Sequence, residues 1–143
     1  LTDDCEFCRI AHGADPDAYV VCEDSNWVAF LPLEPATPGH TLIVPRQHVH
    51  DFWSTTSAMR HELVDAAVQV GGAIAAALDP DGMNLITSAG GAAEQTVGHL
   101  HLHVVPRWTN DDFGEIWPPR QVMSDEVKTD LTARIRAACG QRD

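Results

Sequence analysis

The sequence predicts an α+β domain: a five-stranded, mainly antiparallel sheet with one long helix and a C-terminal helix, all within residues 1–143. Three observations lead there. Short apolar runs separated by turn residues read as strands joined in hairpins. The stretch from Thr55 to Leu78 repeats apolar residues at spacings of three and four, the period of a helix with one buried face. A hydroxyl followed by two acids, Ser124-Asp125-Glu126, opens a last helix that runs to about Cys139.

Cys5-Glu6-Phe7-Cys8 and His12 come first, and Gly13 to Asp17 make a turn around Pro16. Tyr19–Cys22 and Trp27–Leu31 form two strands joined by Glu23-Asp24-Ser25-Asn26. Pro32, Pro35 and Pro38-Gly39 stiffen the following loop. His40–Val44 is a third strand, apolar enough to be central, and Pro45 closes it. In the long helix, Met59, Leu63, Ala66, Val70, Ile74 and Ala77 share a face, and Gly71-Gly72 permits close packing at a cost of about 1 kcal/mol per glycine. Asp79-Pro80-Asp81-Gly82 stops the helix. Met83–Thr87 is the fourth strand, and the loop Ser88–Glu94 leads to a fifth from Gly98 to Pro106.

A formal net charge of −12 opposes a broad nucleic-acid or anionic-membrane surface, since both need clustered Lys and Arg. It leaves room for a small phosphate ligand in a local pocket. No apolar run approaches the roughly 20 residues of a membrane helix, and the first residues carry no signal-peptide pattern. A cytoplasmic protein is therefore expected. In that reducing setting a Cys-x-x-Cys pair reads as metal or redox chemistry, while Cys22 and Cys139 read as ordinary thiols.

The strongest local signal is His99-Leu100-His101-Leu102-His103. Successive strand side chains alternate faces, so the three histidines share one side and Leu100, Leu102 and Val104 pack on the other. Three imidazoles in a row suit either an open metal site or nucleophilic and acid–base work on phosphorus. Gln95 and Thr96, beside the Gly90-Gly91 loop, offer amide and hydroxyl donors for phosphate oxygens, which favours the second.

The run Gly98-His99-Leu100-His101-Leu102-His103-Val104-Val105 resembles the His-x-His-x-His-x-x signature of the histidine triad nucleotide hydrolases and transferases. Agreement extends in order from the N-terminal Cys-x-x-Cys through Pro38–Leu42, Pro45–His48 and Gln95–Val97 to Phe113–Trp117. Among its members the chain is most similar to the zinc-containing bacterial type. The resemblance implies a histidine triad fold and hydrolysis of nucleoside 5′-phosphoramidates or dinucleoside polyphosphates through a covalent nucleotidyl-histidine. It implies His101 as nucleophile, His103 as hydrogen-bond partner of the phosphate or leaving group, and His40 as the residue that orients the pair. Gln95, Thr96 and Ser88 would lie at the phosphate, with Phe7, Ile10 and Leu33 lining the base pocket. Cys5, Cys8, His48 and His99 match the family's structural zinc set, and members pair as homodimers. His12, His50 and His61 match no role and read as surface or loop residues.

The match breaks at three places. Pro32 stands where the family binds ribose hydroxyls through Asp or Asn, with Glu34 nearby as a substitute. Ser88 replaces an Asn and Glu94 a Gly close to the phosphate. These departures keep open the base preference and two other readings: a metallohydrolase using all three histidines, and a non-catalytic nucleotide-binding module.

Overall fold

Short apolar runs bounded by turn residues build the sheet. The computed structural model describes residues 4–140 and places strands at β1 (Tyr19–Glu23), β2 (Trp27–Leu31), β3 (Thr41–Pro45), β4 (Gly82–Ile86) and β5 (Leu102–Arg107). All pairings are antiparallel, in the order β1-β2-β3-β5-β4. The helices are α1 (Glu6–Ala11), α2 (Ser57–Leu78) and α3 (Asp125–Cys139). The chain divides after Phe113 into two compact units; the sheet, α1 and α2 form the first and α3 belongs to the second. The α+β class and the five-stranded sheet agree with the reading of the sequence. None of the described helices is long and apolar enough to cross a membrane.

The central strands β2 and β3 are buried on both faces, which is why they read as continuous apolar runs. On one face Trp27, Ala29, Ile43, Leu102 and Val104 pack with Leu63, Ala66, Val70 and Ile74 of α2. On the other, Val28, Phe30, Leu42 and Val44 meet Phe7 and Ala11 of α1. Truncating a fully buried member such as Leu63 to Ala would cost about 2–5 kcal/mol through lost burial and the cavity left behind.

Local chemistry sets the ends. Asp24 Oδ1 accepts from the Asn26 and Trp27 N–H groups at 2.7 and 3.0 Å, closing the β1–β2 turn. Thr56 Oγ1 accepts from Met59 N and caps α2, so the helix starts at Ser57 rather than at Thr55. The predicted apolar face holds at Leu63, Ala66, Val70 and Ile74, whereas Ala77 is exposed. Gly71 allows close approach, since a Cβ there would stand 3.2 Å from Met83 Sδ, but Gly72 meets nothing within 4 Å. Arg46 ties α1 to the β1–β2 hairpin by donating to the Ala11 and Asp24 carbonyls and pairing with Glu23.

Two strand boundaries differ from the expectation in ways that shape the site. His40 lies outside β3 because its N–H donates to the Thr37 carbonyl at the end of the proline loop. The ladder of β5 begins at Leu102, not at Gly98. Residues 98–101 instead run along the loop after β3, with Leu100 N–H donating to Val49 O at 2.7 Å. The short helix α1 and a 3-10 turn at Phe52–Ser54 were not anticipated from the sequence.

Candidate active site and metal centre

Only His103 of the three histidines sits in the β5 ladder, yet the alternation read from the sequence holds through the run: Leu100, Leu102 and Val104 pack on the α2 side and the histidine rings face the α1 side. His103 pairs with Leu42 across β3 and so lies on the α1 side of the sheet. His101 opens toward the same side, packed edge-to-face on Phe7 with ring centroids 5.1 Å apart. The His99 ring lies within the cysteine cluster.

The hydrogen bonds around these rings fix their tautomers. Ala36 N–H donates to His40 Nδ1 at 3.0 Å, so His40 carries its proton on Nε2. That proton is donated to His103 Nδ1 at 2.9 Å, which leaves His103 protonated on Nε2. His101 Nδ1–H donates to the His99 carbonyl at 2.8 Å, leaving the Nε2 lone pair without a partner among the described residues. A lone pair and an N–H donor thus stand side by side, on rings with centroids 4.8 Å apart. Thr87 Oγ1–H holds the His101 carbonyl at 3.0 Å and steadies the backbone beneath.

Burial disfavours the charged forms of His40 and His103. His101 is 6% and His40 7% exposed. Desolvation, reinforced by the neighbouring His101 and His40, pushes His103 down to about 4. His40 is lowered as well, again chiefly by burial and then by His101.

His40, His101 and His103 line a cavity of about 490 Å³. Of the expected contacts, Phe7, Ile10 and Thr96 also line it, and Leu33 stands at its edge, 93% exposed. Pro32 and Glu34 are there too. Ser88 is half-buried in the loop after β4 and does not line the cavity. Gln95 does not line it either: its side chain bonds Gly90 N, His50 O and Val97 O. Asp15, Asp17 and Tyr19, which sequence reasoning passed over as a turn and a strand start, form part of the wall. The Asp15-Pro16-Asp17 turn was the available signal.

A second cluster lies behind His101. Ligand atoms of Cys5, Cys8, His48 and His99 all fall within 4.8 Å of one another. Cys8 Sγ is 3.3 Å from His48 Nδ1 and 3.5 Å from His99 Nδ1, and Cys5 Sγ is 3.5 Å from His99 Nδ1. A tetrahedral zinc with Zn–S near 2.3 Å and Zn–N near 2.05 Å sets S and N about 3.5 Å apart, so the donor set fits that ion. His99 Nε2–H donates to Pro45 O at 2.8 Å, which points the Nδ1 lone pair at the thiols. Burial drives His99 down to about 4, against the opposing Pro45 hydrogen bond, and the ring is neutral as a ligand must be. Desolvation raises the Cys5 thiol, a shift that a bound cation would reverse.

A family model, the HIT domain, matches residues 14–110. The chain belongs to the HIT family. A HIT-like protein of Saccharolobus solfataricus, itself uncharacterised, is 39% identical over 85% of this chain and 88% of its own length. The adenylylsulfatase HINT3 of Arabidopsis thaliana is 29% identical over 99% of this chain and 70% of its own. Among solved structures, a HIT family protein from Bacillus anthracis superposes with a TM-score of 0.84 at 33% identity, covering 96% of this chain and 99% of that one. A zinc-bound histidine triad protein from Mycobacterium smegmatis gives 0.72 at 33% identity, covering 94% and 97%. The HIT fold of this chain is therefore shared over nearly its whole length.

Proposed function

We propose that this HIT protein hydrolyses nucleoside 5′-phosphoramidates or dinucleoside polyphosphates through a nucleotidyl group carried on His101. The observation behind this reading is the tautomer chain, which leaves His101 Nε2 as an uncommitted lone pair in the cavity wall beside the His103 N–H. Nε2 attacks the α-phosphorus and the bond from phosphorus to the leaving nitrogen or oxygen breaks. A leaving amine takes a proton from water at the cavity mouth; a leaving phosphate departs as the anion. The positive charge developed on the His101 ring is shared with the His99 carbonyl through the Nδ1–H bond. His103 Nε2–H donates to a phosphoryl oxygen where charge builds, and Thr96 adds a hydroxyl. Water then attacks phosphorus and releases a proton to solvent, the P–N bond to His101 breaks, and the neutral ring returns.

Cys5, Cys8, His48 and His99 would hold a structural zinc. Bound there, the ion ties the N-terminal segment to the lead-in of β5. The protein would act as a homodimer in the cytoplasm on a small nucleotide, with neither nucleic acid nor membrane as partner. Support for pairing comes from Met83 and Leu85 on the edge strand β4, both exposed. Their pairing with Pro106 and Val104 places them on the α2 side, where Val64 and Val68 of α2 are also exposed.

The decisive experiment is His101→Asn. Turnover of a nucleoside phosphoramidate should disappear while zinc content and circular dichroism persist. In the wild type, intact-mass measurement after alkaline quench should show one nucleotidyl group added. Full activity in the variant sinks the proposal.

A further inference from the structure

The Gln95 side chain lies outside the cavity, yet each of its polar groups is occupied. Oε1 accepts from Gly90 N–H at 2.9 Å, and Nε2 donates to His50 O at 2.7 Å and to Val97 O at 3.1 Å. The amide cannot be turned round, since that would set oxygen against two carbonyls and NH₂ against an N–H. Both donor hydrogens are spent, so none is left for a phosphate. The bond to His50 belongs to a larger pattern. Pro45 O accepts from His99 Nε2, Val49 O from Leu100 N, and His50 O from Gln95 Nε2. The loop that carries His48 therefore lies along residues 95–100, and Gln95 is the outermost tie between them. The same side chain closes the 90–95 turn, where Gln95 N–H also donates to Gly90 O at 3.2 Å.

We propose that Gln95 is a positioning residue: it braces the Thr96 loop against the His48 loop, so that substrate contact at Thr96 and metal retention at His48 depend on one amide. The part concerning substrate rests on the proposed role of Thr96; the part concerning the metal does not. Gln95→Leu, at a half-exposed position, keeps the bulk and removes all three bonds. Gln95→Glu keeps an acceptor for Gly90 N–H and sets a carboxylate against the two carbonyls.

The test uses the full zinc-loaded chain. In Gln95→Leu, amide exchange should quicken at Leu100, which reports docking of the His48 loop, as well as at Gly90. Transfer of zinc to a chelating dye should accelerate roughly tenfold, as when a group supporting a metal ligand is lost. In Gln95→Glu, Leu100 and zinc release should respond while Gly90 stays protected. Gln95→Leu should also raise KM, and should add little to the KM of Thr96→Val, because it acts through that hydroxyl. Exchange at Leu100 and zinc release unchanged in both variants would overturn the inference, as would KM effects that simply add. Should His101→Asn prove active, only the nucleotidyl mechanism falls, because exchange and zinc release are read without turnover.

Discussion

Replacing His103 separates hydrogen-bond donation from proton transfer. In His103→Ala the N–H proposed to face the phosphoryl group is gone. Removal of one donor to developing charge costs about 10²–10³ in kcat, or roughly 3–4 kcal/mol. The same change strands His40 Nε2–H, whose acceptor at 2.9 Å disappears while the ring is only 7% exposed. An unsatisfied buried donor costs about 1–3 kcal/mol. For a chain of this size that lowers Tm by roughly 3–10 °C. His103→Gln is the informative partner. Its Oε1 can accept from His40 and its Nε2 can donate to the phosphoryl oxygen, copying both polar atoms of the ring, but it cannot carry a proton to a leaving group. Burial holds His103 at about 4, so the wild-type ring is already neutral at pH 7 and donates without transferring. Steady-state release of amine from a nucleoside phosphoramidate should therefore stay within about tenfold of wild type in His103→Gln and fall 10²–10³-fold in His103→Ala. The wild-type kcat should carry no ionisation of His103 between pH 5 and 8. If Gln fails as badly as Ala, and wild-type kcat falls with rising pH in a way that Gln abolishes, the ring works as an imidazolium acid and the tautomer argument is wrong.

Pro32→Asp would restore a carboxylate acceptor on the cavity wall. It should lower KM for a ribonucleotide substrate about tenfold, the worth of one charge-assisted hydrogen bond, and leave the 2′,3′-dideoxy analogue unchanged. Glu94 sits at φ 64°, in the left-handed region, as the C-cap of a short turn. Glu94→Gly should therefore raise thermal stability by about 1 kcal/mol, read as a Tm increase of a few degrees. The neutral, buried His103 and His40 make the native state bind fewer protons than the unfolded chain. Stability is then full above the unfolded histidine value of 6.5 and is lost as pH falls from there toward about 4. For the partly exposed His103 this amounts to about 1–2 kcal/mol after solvent screening, and urea titrations should show a shallower acid slope in His103→Gln. Chelation that strips zinc from the Cys5, Cys8, His48 and His99 cluster should lower Tm by roughly 10 °C or more. A chelated, metal-free protein with unaltered Tm would count against a structural ion.

What the sequence disclosed and what it hid follow one physical division. Periodicity and turn residues report local preference, so the central, buried place of β3 and the apolar face of α2 were legible. Residues whose conformation is decided by a distant partner were not. His99 shows the limit: period-two alternation rightly put it on one face with His101 and His103, but it did not show that residues 98–101 leave the ladder and spend donors on Pro45 and the loop after β3. Leu100 N–H goes to Val49 and His99 Nε2–H to Pro45, and neither bond leaves any trace in a local pattern. The same applies to Gln95, whose chemistry suits a phosphate but whose amide is consumed by three backbone groups. The irregular lead-in also has a use that a regular strand would lack. It lets one residue serve two sites, the His99 ring facing the thiols while its carbonyl accepts the His101 Nδ1–H at 2.8 Å. On the proposed mechanism, whatever holds the His99 backbone also holds the tautomer and aim of His101, so a metal bound by the His99 ring would act on that chemistry without touching phosphorus.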